Sequence, residues 1–272
     1  MSEPGAGTAG PEEPDGRVFD GVIAEEMGEE IIDSLRRVRH AEEKRYRAEH
    51  PGEGLRERKR RITRHLIADA ATAMFASRGF DAVKVSEIAD RANVSMKTLY
   101  NYFPTKESMV LDDADELIDH LAAALRDRQA GTSITDAFVG ALEASMYGFD
   151  LLDDELAAHV ATTFAAMVRQ TPALHAHWLE IQDRLARVAA EQLALQAGTQ
   201  PTDPEPTVAG WALAGLVQVD MDSRARHIHA GRRGAQLRDA VAGDVRQAAE
   251  LLETGLASLS RGTQADGRNG PE

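Results

Sequence analysis

The chain has 272 residues, 43% of them hydrophobic, a formal charge of −14 and no cysteine. That length suits one large or two small domains with a sizeable core. The acidity excludes a protein that coats nucleic acid over its whole surface, and the missing thiols exclude disulfides and thiolate zinc sites. The charge is unevenly placed: residues 55–110 carry a balance of +5, against −7 for 1–54 and −12 for 111–272. A short basic island between acidic flanks is the footprint of one small module meeting phosphate. No uncharged apolar window reaches the roughly 18 residues that suggest a membrane span. The start, MSEPGAGTAGPEEPDG, has neither the basic nor the apolar region of a secretory signal, so a cytoplasmic protein is expected.

Residues 1–17 read as a disordered tail of Gly, Pro and acids. Over 18–50 a helical stripe follows, with Phe19, Ile23, Met27, Ile31 and Leu35 recurring every fourth residue. Pro51, Gly52 and Gly54 break it. The next helix is expected from Leu55 or Arg58 to Arg78, on Ile62, Leu66, Ile67, Ala70, Met74 and Phe75, with Gly79 as its terminating glycine. A short extended FDAVKV leads to a short helix near 86–92. Asn93 then takes a turn, Ser95 caps the helix MKTLYNYF, and Pro104 ends it. Thr105, with Ser108 three residues on, is set to cap the following helix without the Glu of a full capping box. Beyond it the pattern predicts helices over 106–130, 133–149, 153–170, 173–198, 205–229 and 236–260, then a disordered tail.

Helix, turn, helix over 86–103 is the arrangement that presents a reading helix to the major groove. Ile88, Ala89, Val94 and Leu99 form the candidate shared core, and Asn93 is the non-glycine type that best tolerates positive φ in the turn. Lys97, Thr98 and Asn101 can donate to phosphate or base edges, Tyr100 and Tyr102 bring hydroxyls, and the segment holds no acid. Ser95 starts the reading helix, with Met96 at its base-facing end. Lys106 opens the next helix, where an ammonium and free backbone N–H groups favour a phosphate; Ser86, starting the first helix of the pair, offers the same. The basic run RERKRRITRH at 56–65 can touch the DNA backbone, although such runs are more often solvated faces.

Residues 68–111, with Ala71, Phe75, Gly79–Phe80, Ile88–Ala89, Ala92, Val94–Ser95, Leu99–Tyr100, Tyr102–Phe103 and Lys106, resemble the N-terminal domain of the tetracycline-repressor (TetR) family. The resemblance implies an all-α protein: a three-helix helix-turn-helix DNA-binding domain over 55–108, then a helical effector-binding and dimerisation domain over 109–260. Residues 18–54 are then an N-terminal extension between the tail at 1–17 and the motif, and 261–272 the C-terminal tail. Where the family usually has a capping Thr this chain has Lys84, so the phosphate contact passes to its ammonium or to Ser86. Asn93 stands where Gly is usual in the turn, and Met96 where small or basic residues are commoner. The implied function is a transcriptional regulator, a repressor released from double-stranded operator DNA by a small-molecule effector, acting as a homodimer.

In the C-terminal part, Phe138, Met146, Tyr147, Phe164, Met167, Trp178 and Trp211 are large side chains suited to an amphipathic or hydrophobic effector, though each alone is more often core. The last two helices carry Val208, Leu213, Leu216, Val217, Val241, Val245, Leu252 and Leu256, suited to a four-helix bundle between subunits. That dimer would set the two reading helices about 34–36 Å apart, one DNA turn. His175 and His177 point to different faces of one helix, no HxxxH pair occurs, and no metal, cofactor or catalytic constellation is expected. Asp220 and Asp222 read as solvated. An all-α enzyme and a helical interaction protein that does not touch DNA are the alternatives. The operator, the effector, activation against repression and the role of 18–54 are not legible in the sequence.

Overall fold

The computed structural model describes residues 28–33, 35–37, 52, 54–112, 114–129, 131–145 and 155–262. The expected helix over 18–50 is therefore described only in α1, over 28–33 and 35–37. The chain continues as α2 (Leu55–Arg78), α3 (Val85–Arg91), α4 (Met96–Tyr102), a 3-10 turn (Glu107–Met109), α5 (Ala114–Arg126), α6 (Ile134–Ser145), α7 (Glu155–Gln170), α8 (Pro172–Ala197), α9 (Pro204–His229) and α10 (Gly234–Gly262). The protein is all-helical, with no strand among the described residues. None of the described helices is long and apolar enough to cross a membrane.

Local chemistry sets most of the ends. Gly79, at φ 83°, terminates α2 and donates its N–H to the Phe75 carbonyl at 2.8 Å. Gly198 ends α8 in the left-handed region at φ 68°. Pro172 and Pro204 open α8 and α9, where the missing N–H costs nothing. One expected helix is split. Residues 106–130 form the 3-10 turn, a break, and only then α5. Thr105 and Ser108 do bond reciprocally, Ser108 N–H to Thr105 Oγ1 at 3.1 Å and Thr105 N–H to Ser108 Oγ at 3.4 Å. However, the Asp112 carbonyl is taken by the Arg64 guanidinium at 2.7 Å and so leaves the helical ladder.

One continuous apolar cluster runs from Phe75, Ile88, Leu99 and Phe103 through Met109 and Leu121 to Phe138, Leu174, Leu213 and Val245. Helices α8 and α9, of 26 residues each, cross at its centre. They approach so closely that a Cβ on Gly210 would lie 2.2 Å from the Ala186 carbonyl oxygen. A second, smaller cluster joins Ile31, Ile32 and Ala73, with Leu35, Ala76 and Val160 packed around it.

The dimerisation face read from the sequence needs correcting. Leu213, Leu216, Val217, Val241 and Val245 are buried in the protomer's own core, because α9 and α10 each cover the other. The apolar side chains that face outward are Val208 and Trp211 on α9 and Leu251 on α10. Gly215 is exposed on the same outer side of α9, one turn beyond Trp211. Leu256 lies outside the side chains described. Asp220 also departs from expectation. It is 5% exposed, in mid-helix, with its carboxylate 2.6 Å from Arg224 Nε. Burial raises its pKa, and Arg224 only partly opposes that.

Candidate nucleic-acid interface

The helix-turn-helix unit is built by three local devices. At the start of α3 the Glu87 carboxylate accepts the Lys84 N–H at 2.7 Å. This is half of a capping box, since an ammonium cannot accept the reciprocal bond. The same carboxylate pairs with Arg78 at 3.0 Å. Those bonds to Lys84 and Arg78 hold Glu87 below the ordinary carboxylate range. Lys84 is thus the residue before the helix, and Ser86 is its second residue rather than its start.

In the turn, Asn93 has φ 54°, the only non-glycine at positive φ among the described residues. That left-handed residue lets the Val94 N–H reach back to the Ala89 carbonyl at 2.9 Å. Ser95 then caps α4, its Oγ accepting the Thr98 N–H at 3.0 Å. The Ser95 and Thr98 hydroxyls lie 2.8 Å apart.

The period of 3.6 residues divides α4 by face. Leu99 and, just past the helix, Phe103 are fully buried with Ile88 and Ala89. Met96, Lys97, Tyr100 and Asn101 form the exposed edge, and no acid interrupts it. Thr98 is half-buried with its hydroxyl engaged by Ser95, and Tyr102 is half-buried against the core. Ser86 and Lys84 are exposed at the start of α3.

Lys106 differs from expectation. Its ammonium donates to the Phe80 carbonyl and sits 4.3 Å from the Phe80 ring centroid and 5.5 Å from that of Phe75. Burial lowers its pKa, with Asp81 opposing. The side chain pins the turn after α2 instead of projecting as a free cation, because the carbonyl and two ring faces converge on it.

Arg64 went unnoticed in the sequence. It donates to the carbonyls of Tyr102 at 3.2 Å and Asp112 at 2.7 Å, and its guanidinium lies 4.5 Å from the Phe103 ring centroid. One side chain therefore ties α2 to the end of α4 and to the break before α5. A signal existed: Arg64 falls on the same stripe as Ile67, Ala68, Ala71 and Phe75, all buried.

Most of the described side chains expected around an effector are packed in the core. Phe138 is fully buried and Met167 nearly so. Trp178 is buried too, its Nε1–H donating to Gln218 Oε1 at 2.7 Å. Phe164 is half-buried against the core. Trp211 is 50% exposed on the outer face of α9, so it is no wall of an interior pocket in the protomer. Met146 and Tyr147 lie outside the described residues. A cavity of about 290 Å3 lies against Glu143, Arg238, Asp239, Ala242 and Arg246, a charged set on α6 and α10.

Known proteins agree with the reading of the helix-turn-helix. Residues 67–112 match the sequence model for "Bacterial regulatory proteins, tetR family". The transcriptional regulator MftR of Mycobacterium tuberculosis is 28% identical over 160 residues, 58% of this chain and 78% of that protein. The HTH-type transcriptional regulator TcmR of Streptomyces glaucescens is 33% identical over 146 residues, 51% of this chain and 64% of that protein. The HTH-type transcriptional repressor KstR of Mycobacterium tuberculosis is 32% identical over 109 residues, 38% of this chain and 47% of that protein. With a positive-φ turn, a capped second helix and an acid-free exposed edge all inside the matched segment, residues 67–112 carry the helix-turn-helix of the tetR family of bacterial regulatory proteins.

Proposed function

We propose that this regulator is a repressor that binds double-stranded operator DNA as a homodimer in the cytoplasm and is released by a small-molecule effector. The observation that carries DNA recognition is the edge Met96, Lys97, Tyr100 and Asn101, held outward by the buried pair Leu99 and Phe103. Lys97 meets phosphate, Asn101 and Tyr100 reach base edges or phosphate, and Met96 offers an apolar contact such as a thymine methyl. Ser95 serves as the cap, and Lys84 and Ser86 meet the neighbouring backbone. Thr98 and Tyr102 act mainly through the helix they stabilise. Repression is supported by the similarity to the transcriptional repressor KstR.

The outward Val208, Trp211 and Leu251 support a subunit contact through α9 and α10, since large exposed side chains on neighbouring helices favour cover by another surface. The effector acts on α5 to α9, around Phe138, Phe164, Met167 and Trp178, and an amphipathic or hydrophobic molecule suits those side chains. It shifts the population between two dimer geometries.

Operator fragments selected from genomic DNA provide the test, with affinity measured by fluorescence anisotropy across a salt series. Tyr100→Ala is expected to weaken specific binding at least tenfold, about the loss of one good contact. Lys97→Ala should reduce the slope of log affinity against log salt by about 0.9. Unchanged affinity and slope in both variants would refute the contact assignment.

A further inference from the structure

We propose that helix α1 is an intramolecular clamp that fixes the orientation of the helix-turn-helix unit against the C-terminal helices. The proposal rests on the reading of α4 as the DNA-reading helix, and it concerns a segment outside the matched residues 67–112.

Three observations carry it. Ile31 has no exposed surface and Ile32 is 6% exposed, both packed with Ala73 of α2. Gly28 sits on the same helix one turn further, where an added Cβ would be 3.6 Å from Ser77 Oγ. The second contact is an ion pair of 2.8 Å between Glu29 and Arg91, the last residue of α3. Third, Val160 of α7 packs on the same small cluster with Leu35 and Ala76. Helix α1 therefore touches α2 and α3 of the reading unit and shares one apolar cluster with Val160 of α7.

The seat on α2 is separate from the face that builds the main core. Ala73 is fully buried, yet it belongs to the Ile31 cluster and not to the main core. Ser77 turns its hydroxyl back to the Ala73 carbonyl at 2.8 Å, so this face leaves no unmet polar group under an apolar cover. A reorientation of the reading unit relative to α7 must open the cluster that Ile31, Ile32, Ala73 and Val160 share. Helix α1 thus holds the free protein in the narrow set of orientations from which it binds DNA.

The test uses the full chain, whose lack of cysteine allows clean labelling. Spin labels at Asp81→Cys and Glu191→Cys, both exposed, report the distance from the reading unit to α8, with labelled protein diluted in unlabelled. The parent should give one narrow distribution. Ile31→Asp should broaden it, Ile31→Val should keep it, and Glu29→Arg, which sets two like charges opposed at a partly exposed site, should broaden it to a lesser degree. Hydrogen exchange at α4 checks that the reading unit stays folded, and at 28–37 that α1 is released. Operator affinity in the released variants should fall about fivefold or more, by loss of the competent fraction. Distributions in Ile31→Asp and Glu29→Arg that overlay the parent's overturn the clamp, as does unchanged affinity once α1 is released. If the parent itself fails to bind DNA, the functional reading falls while the distance measurement still judges the clamp.

Discussion

Replacing Gly210 by Ala tests the crossing of α8 and α9 directly. The new Cβ would lie 2.2 Å from the Ala186 oxygen, 3.1 Å from its carbonyl carbon and 3.2 Å from the Ala190 nitrogen. A carbon resting on a carbonyl oxygen needs about 3.3 Å or more, so α8 must retreat by roughly 1 Å along a buried seam. These are backbone atoms, which cannot swing aside as a side-chain tip does. Overpacking of this kind costs about 1–3 kcal/mol, and the upper end applies here. The exchange of Gly for Ala inside a helix returns about 1 kcal/mol. The net loss is then about 2 kcal/mol, or a fall of about 4–8 °C in melting temperature for a protein of this size. Gly140→Ala is the matched control: it lies in α6 with no atom within 4 Å of its built Cβ, and is expected to melt about 2–4 °C higher. Both are compared with the parent by calorimetry at one protomer concentration, because association shifts the melting point. A Gly210→Ala protein that melts at or above the parent would refute the close approach.

The cap of the reading helix gives another expectation. Ser95→Ala removes the bond to the Thr98 N–H at 3.0 Å and should cost about 1 kcal/mol, read as faster hydrogen exchange in α4 and weaker operator binding. Lys106→Ala separates a structural lock from a phosphate contact. It should lower affinity with the salt slope unchanged, because its ammonium is spent on Phe80 and the two rings, whereas a slope smaller by about 0.9 would restore the phosphate contact. Asp244 gives a pH dependence at the junction of α9 and α10. Burial alone would raise its pKa, but hydrogen bonds from Arg226, His227 and Ser223 outweigh it and hold the carboxylate below the ordinary range. Its folded pKa lies below its unfolded one, so its stabilisation is complete above the unfolded value and fades as pH falls through the folded one. Asp244→Asn should cost about 1 kcal/mol near pH 7. The gap to the parent should begin to narrow below about pH 4 and close only as pH falls past the lower folded value, and thermal melts with a constant gap would exclude the assignment.

The helices and the helix-turn-helix were legible because their rules are local. Asn93, Ser95 and Pro104 each act within four residues of themselves, through φ, a cap and a missing N–H, and the structure has them where the sequence put them. Gly79, Gly198, Pro172 and Pro204 set helix ends in the same way. The face of α4 was legible too, since the buried Leu99 and Phe103 are one helical turn apart and fix which side looks outward.

Partners distant in sequence were not legible. Arg64 meets Asp112 across 48 residues and Lys106 meets Phe80 across 26, and no spacing rule reaches that far. The basic side chains at 56–65 look alike in the sequence, but the Arg64 guanidinium, on the apolar stripe of α2, meets two carbonyls and a ring far along the chain. Trp211, Asp220 and the Val and Leu stripes of α9 and α10 show the other limit. Periodicity says which residues share a helix face, but which neighbour covers that face depends on how the helices are arranged. The sequence by itself determined a string of helices and one exposed, acid-free edge on α4, through torsions, caps and the 3.6-residue period. Only the tertiary structure decided that α1 seats on Ala73 beside Arg91 and Val160, that Lys106 turns inward and that Trp211 faces out, because each depends on surfaces brought together from far along the chain.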